Sequence, residues 1–162
     1  MTLGLSFLHV LNVWSTLVLI NIGFFSASVH FTHTSIVIFA LPGAFTPTCS
    51  AKHVPGYVEK HDEFVAAGVD EIWCISVNDA FVMGAWARDQ KSIGKVRLLA
   101  DGSADFTKAT GLTLDLTARG MGLRSNRYSM LVKDGKVVTL NIEGPGKFEV
   151  SDAATMLSQV KH

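Results

Sequence analysis

The chain lacks charge over its first third: the first acidic or basic side chain is Lys52, and all 14 lysines and arginines and all 14 aspartates and glutamates lie from there on. The two signs cancel to a formal charge of zero, which leaves no basic footprint for nucleic acid or an anionic membrane surface. Cysteine is scarce too, with two in 162 residues. That excludes the disulfide framework of small secreted domains and leaves reactivity as the reason to keep a thiol. There is no internal repeat, no phosphate-cradling glycine loop and no metal-spaced Cys/His cluster. These absences remove solenoid, nucleotide-binding and zinc-site readings. His30-x-x-His33 is the nearest approach to a metal pair, and two histidines without further partners read as surface residues.

A length of 162 residues suits one domain with a real core. The charge-free segment 1–34 stands apart from a domain over 35–162. Leu3 to Phe25 is apolar except for Ser6, His9, Asn12, Ser15, Thr16 and Asn21. At about 1.5 Å per helical residue it approaches the thickness of a bilayer's hydrocarbon core. Ser26-Ala27-Ser28 offers the small residues a signal peptidase prefers. Against this, no lysine or arginine precedes the stretch, and polar residues interrupt it. Two readings stay open: a secretory signal or membrane anchor through residues 3–25, or a divergent start on a cytoplasmic protein.

What is present is concentrated in Leu41 to Ser50, Leu-Pro-Gly-Ala-Phe-Thr-Pro-Thr-Cys-Ser. Upstream, Ser35 to Ala40 is a short apolar run rich in β-branched residues and bounded by Pro42 and Gly43, the pattern of a buried strand. Downstream, Val54, Tyr57, Val58, Phe64 and Val65 recur at helical spacing, so Cys49 is expected in the first turn of a helix. There the backbone N–H groups lack intrahelical partners and the helix dipole is positive, which favours thiolate over thiol. Pro55 should kink this helix one to two turns in. His53, four residues after Cys49, invites a Cys-His nucleophile reading, but such pairs are generally assembled from distant segments, and a surface histidine is the expectation.

The pattern Pro42-x-x-x-Thr46-x-x-Cys49 resembles the active-site motif of peroxiredoxins, and the fuller stretch through Ser50 is similar to the type II plant and bacterial branch that includes peroxiredoxin 5. The likeness continues through Ile72 to Asp79, Phe81 to Met83, Ala100 to Gly102 and Arg124 to Met130, so it covers about Ser35 to the C-terminus. It implies a thioredoxin-like fold and a thiol-dependent peroxidase acting on hydrogen peroxide and alkyl hydroperoxides, in which Cys49 becomes a sulfenic acid. It further implies roles for Pro42, Thr46 and Arg127, no cofactor or metal, and regeneration by glutathione with glutaredoxin or by thioredoxin. A homodimer through loops and the helix bearing Phe81 and Trp86 is implied as well. The departure is at the front, where relatives carry a small, charged β-hairpin that residues 1–34 do not resemble.

Within this chemistry each need has a candidate. Cys49 supplies the nucleophile, and Thr46 offers a hydroxyl that can accept from the peroxide or donate to the sulfur. A permanently charged guanidinium can hold the thiolate ionised and donate to a peroxide oxygen in the transition state. Arg127 matches the family arginine because it directly precedes Tyr128; Arg124, three residues earlier, would face the other way in a strand. Pro42 shields the sulfur from water. Cys74 lies 25 residues after Cys49, the separation seen in two-cysteine type II relatives, so it is either a resolving cysteine or an inert thiol of an apolar strand.

Further along, Val69 to Val77 reads as a strand, Asn78-Asp79 as a cap for a helix through Trp86, and Val96 to Ala100 as a third strand. A short helix over Ser103 to Thr110 ends at Gly111, and Leu112 to Gly122 lacks clean periodicity and reads as a loop. Asp134-Gly135 between two β-runs marks a hairpin. Ser151 can cap a final helix running to Val160. The order β-α-β-α-β-α-β-β-α predicts an α/β domain whose mixed central sheet is covered by helices on both faces. Two rivals remain. A thioredoxin-like disulfide oxidoreductase would want Cys-x-x-Cys, but position 46 is threonine. A non-catalytic or membrane-associated protein of the same fold would use residues 3–25 as an anchor.

Overall fold

A six-residue run with almost no polar side chain is stable as a strand only when buried on both faces. Ser35–Ala40 is such a strand, β1, and from Ile36 onward each of its residues is buried. The computed structural model describes residues 34–161, so the signal, anchor and divergent-start readings, and the His30/His33 pair, lie outside the described residues. β1 is the middle strand of a five-stranded sheet of order β3-β2-β1-β6-β7. It runs parallel to β2 (Glu71–Ser76) and antiparallel to β6 (Tyr128–Lys133). β3 (Arg97–Ala100) pairs parallel to β2, and β7 (Lys136–Ile142) pairs antiparallel to β6. The sheet is mixed, as expected.

Because side chains alternate across a strand, β1 feeds two cores. Val37 and Phe39 join Cys74 and Leu131 in one apolar cluster, which also contains Cys49. The helices α1 (Val54–Glu59), α2 (His61–Ala66), α3 (Ala80–Asp89) and α5 (Ala153–Val160) supply Tyr57, Phe64, Trp86 and Met156 to that cluster. Ile36 and Ile38 join Trp73, Ile75 and Met130 on the opposite face, where α4 (Asp105–Thr110) contributes Phe106. Ring stacking of Phe39 on Tyr57, with centroids 4.0 Å apart, ties β1 directly to the helix after Cys49.

Three expectations need correction. The stretch read as a loop holds a small antiparallel pair, β4 (Thr113–Leu116) with β5 (Gly122–Ser125), linked by a 3-10 turn over Thr117–Arg119. Its alternation is only four residues long and half exposed, and Gly120 and Gly122 both take positive φ (71° and 66°), so no long periodic signal survives. The last helix is capped by Asp152, which accepts from the N–H groups of Ala154 and Thr155, while Ser151 turns inward. Where Pro55 is expected to kink one continuous helix there is a change of winding instead: Cys49–His53 is wound as a π-helix, α1 follows it, and the missing N–H of Pro55 falls in the first turn of α1. The Asp79 cap and the Asp134-Gly135 turn, with φ of 49° and 73°, are as predicted.

Candidate active site

The segment between β1 and the π-wound turn is held from two sides. Asn78, just after β2, accepts from Ala44 N–H at 2.9 Å and from Ser76 Oγ at 2.7 Å. Arg124, on β5, donates to the carbonyls of Met121 (2.7 Å), Val77 (3.2 Å) and Pro42 (3.5 Å). This guanidinium passes so close to Gly43 that a Cβ there would lie 3.1 Å from its Nη1, a contact that a larger residue could keep only if the arginine gave way by a few tenths of an ångström. Phe45 takes a left-handed backbone conformation, φ 59°, costly for an aromatic residue and characteristic of functional loops. Its ring is half exposed and approaches Trp86, whose indole N–H donates to Ser50 Oγ at 3.1 Å. Ser50, the residue after Cys49, is thereby tied to the helix carrying Trp86.

Cys49 opens the π-wound turn, its carbonyl accepting from Val54 N–H five residues on. The side chain is fully buried. Arg127, in the link between β5 and β6, donates from Nη2 to its sulfur at 3.4 Å. Arg127 Nη1 lies 3.0 Å from His53 Nδ1. Of the two candidate arginines, then, Arg127 reaches the sulfur and Arg124 holds the loop. Thr46 sits one turn before Cys49, partly exposed, and its hydroxyl donates to Gly43 O at 2.9 Å, which leaves its lone pairs free to accept. Its carbonyl accepts from Ser50 N–H at 3.0 Å. Pro42 is partly exposed at the rim.

His53, expected on the surface, is fully buried. Its ring is packed among Phe39 (4.8 Å), Tyr57 (5.7 Å) and Phe148 (4.9 Å). A guanidinium has only donors, so Nδ1 must accept from Arg127; Nε2 therefore carries the proton and donates to Ser151 O at 3.1 Å. Burial, and then the Arg127 charge, push the imidazole down to about 3, so it is neutral at physiological pH. The helical spacing from Cys49 was a visible signal, but Ser50-Ala51-Lys52-His53 is polar enough in sequence to pass for a solvated face.

Cys74 sits in mid-β2, paired in register with Phe39 and Leu98 and fully buried. Burial pushes its thiol well above the ordinary range, the nearby Cys49 adds to this, and Arg127 opposes it weakly. Among the described residues there is no group of three or more His, Cys, Asp or Glu that could hold a metal, and no helix is long and apolar enough to cross a membrane.

The Redoxin family model matches residues 24–157. The chain belongs to the peroxiredoxin family. It is 48% identical to Peroxiredoxin-2B of Arabidopsis thaliana, over 82% of this chain and 83% of that one. Reduced Prx3 of Vibrio vulnificus, solved in complex with H2O2, superposes with a TM-score of 0.78 at 52% identity, covering 82% of this chain and 81% of that one. Peroxiredoxin 5 of Alvinella pompejana gives a TM-score of 0.73 at 33% identity, covering 82% of each chain. Peroxiredoxins are thiol peroxidases on a thioredoxin-like fold, and the chain is an enzyme of that class.

Proposed function

We propose that Cys49 is the sulfur that attacks the peroxide, with Arg127, Thr46 and Pro42 as its working surroundings. The observation that carries this is the Arg127 guanidinium 3.4 Å from a buried cysteine in a π-wound turn. A fixed positive charge in a site closed to water stabilises anionic sulfur without reorganisation. The thiolate attacks the nearer oxygen of a hydroperoxide, the O–O bond breaks, and Cys49 becomes a sulfenic acid while the other oxygen leaves as hydroxide or alkoxide and takes a proton. Arg127 donates to the oxygens as charge builds on them, and the Thr46 hydroxyl orients the peroxide by accepting a hydrogen bond from it. Pro42 narrows the approach. The substrate class is small hydroperoxides.

A second thiol must then reduce the sulfenic acid. Because Cys49 is closed to solvent, a protein reductant reaches it only when the π-wound turn opens, and a small thiol such as glutathione needs less opening. We assign Cys74 a core role, supported by its full burial and raised thiol; glutathione with glutaredoxin, or thioredoxin, completes the cycle. A dimer built on the exposed Phe45 and Phe81 beside the site is the oligomer this reading favours. The catalytic domain is 35–162, and a cytoplasmic location is proposed, with anchoring through residues 3–25 as the alternative. Cys49→Ser should abolish thiol-dependent peroxidase activity, and retained activity would refute the assignment. Cell fractionation together with N-terminal sequencing of the mature protein separates the two locations.

A further inference from the structure

Arg127 meets the sulfur with one nitrogen and a neutral imidazole with another, so its aim depends on what fixes that imidazole. Ser151 O does so, accepting from His53 Nε2 at 3.1 Å and from Tyr57 Oη at 2.9 Å. Ser151 stands just ahead of α5 in an irregular stretch following β7, a segment with no ladder to hold its carbonyl in place. What does hold it is a single carboxylate oxygen. Glu143 Oε1 accepts from the N–H groups of Glu149 (2.7 Å), Val150 (2.9 Å) and Ser151 (2.8 Å), and from Ser151 Oγ (2.9 Å). Four donors on one oxygen gather three consecutive residues into a fixed curve, with Ser151 O on the inner side.

Resting on the peroxidase reading of Cys49, we propose that Glu143 is a positioning residue for Arg127: by clasping Glu149 to Ser151 it aims Ser151 O at His53 Nε2, fixes the histidine tautomer, and so presents the Nδ1 lone pair that orients the guanidinium on Cys49. Glu143 touches neither sulfur nor substrate. The three links each involve a donor meeting an acceptor, and reversing any one of them breaks the next. If the His53 proton moved to Nδ1, it would point at a cation, and the Arg127 fork would turn away. Phe148, just ahead of the clasped stretch, adds a second hold, with its ring 5.5 Å from the Arg127 guanidinium carbon.

The test uses the full chain and two variants, Glu143→Gln and Ser151→Ala, with circular dichroism to establish folding. In the native protein, 15N chemical shifts should report His53 protonated on Nε2 only. Glu143→Gln should mix the two tautomers and slow the reaction of Cys49 with hydrogen peroxide by roughly ten- to a hundredfold, the size expected of a misaimed catalytic group. Ser151→Ala, which loses one of four donors, should give the same pattern weakly, and it carries the test should the first variant fail to fold. A folded Glu143→Gln or Ser151→Ala with native His53 shifts and native rate overturns the proposal while leaving the peroxidase reading intact. Loss of the reading itself would show separately, as undiminished activity in Cys49→Ser.

Discussion

Two thiols share one apolar cluster and are equally closed to solvent, yet their surroundings differ. Cys74 lies in a central strand with its backbone bonded on both sides, and burial raises its thiol well above the ordinary range. Cys49 lies at the mouth of a π-wound turn with a guanidinium 3.4 Å from its sulfur. Burial without a charged partner leaves a cysteine inert, whereas a buried sulfur beside a permanent cation is the arrangement the proposed peroxidatic role requires. On the proposed reading, reactivity is set by the neighbours.

The sharpest way to break the comparison is to remove the cation. Arg127→Met should slow the oxidation of Cys49 by about a hundred- to a thousandfold, the range for loss of one preorganised donor, as measured by stopped-flow reaction with hydrogen peroxide. A loss under tenfold would mean that the two thiols differ for some other reason. A second test addresses the buried imidazole. With a folded value near 3 against an ordinary 6.5, the unfolded chain binds a proton across that interval and the native state does not. Stability should therefore rise with pH there, and fall on acidification by up to about 1.4 kcal/mol per unit. The depressed carboxyls of Glu143 and Asp152 weaken the fold in the same direction once pH drops below their ordinary values of 4.5 and 3.8. Urea titrations at stepped pH, compared with His53→Gln, isolate the histidine part, which the variant should lack.

The smallest effect belongs to the other thiol. Cys74→Ala should leave the rate of Cys49 oxidation and turnover with glutathione and glutaredoxin within about twofold, and cost on the order of 1 kcal/mol of stability as a small core truncation. Turnover that collapses in this variant would make Cys74 the resolving thiol and erase the contrast.

Much of this was legible in the residues. The β-branched run before Pro42, the spacing through Cys49 and the Asp134-Gly135 turn each carry a local physical signature, and strand, loop and hairpin stand where those signatures put them. Arg127 was separable from Arg124 by its neighbour Tyr128, though the expected reason, opposite faces of one strand, does not hold: Arg124 is on β5 and Arg127 in the link after it. The parts that stayed hidden are those set by distant contacts. His53 is buried because Phe39 and Phe148 close over it, from positions 14 residues before and 95 after. Glu143 reads as a surface charge until the curve of Glu149 to Ser151 is seen around it. Short, half-exposed strands such as β4 carry too little alternation to declare themselves.

The most direct test is a competition between the two sulfurs within one molecule. The reduced protein receives one equivalent of hydrogen peroxide, is blocked immediately with a sulfenic-acid-selective probe, and is digested for mass spectrometry. The probe should be found on Cys49 and not on Cys74. Equal labelling of both cysteines, or labelling of Cys74 first, would contradict the account.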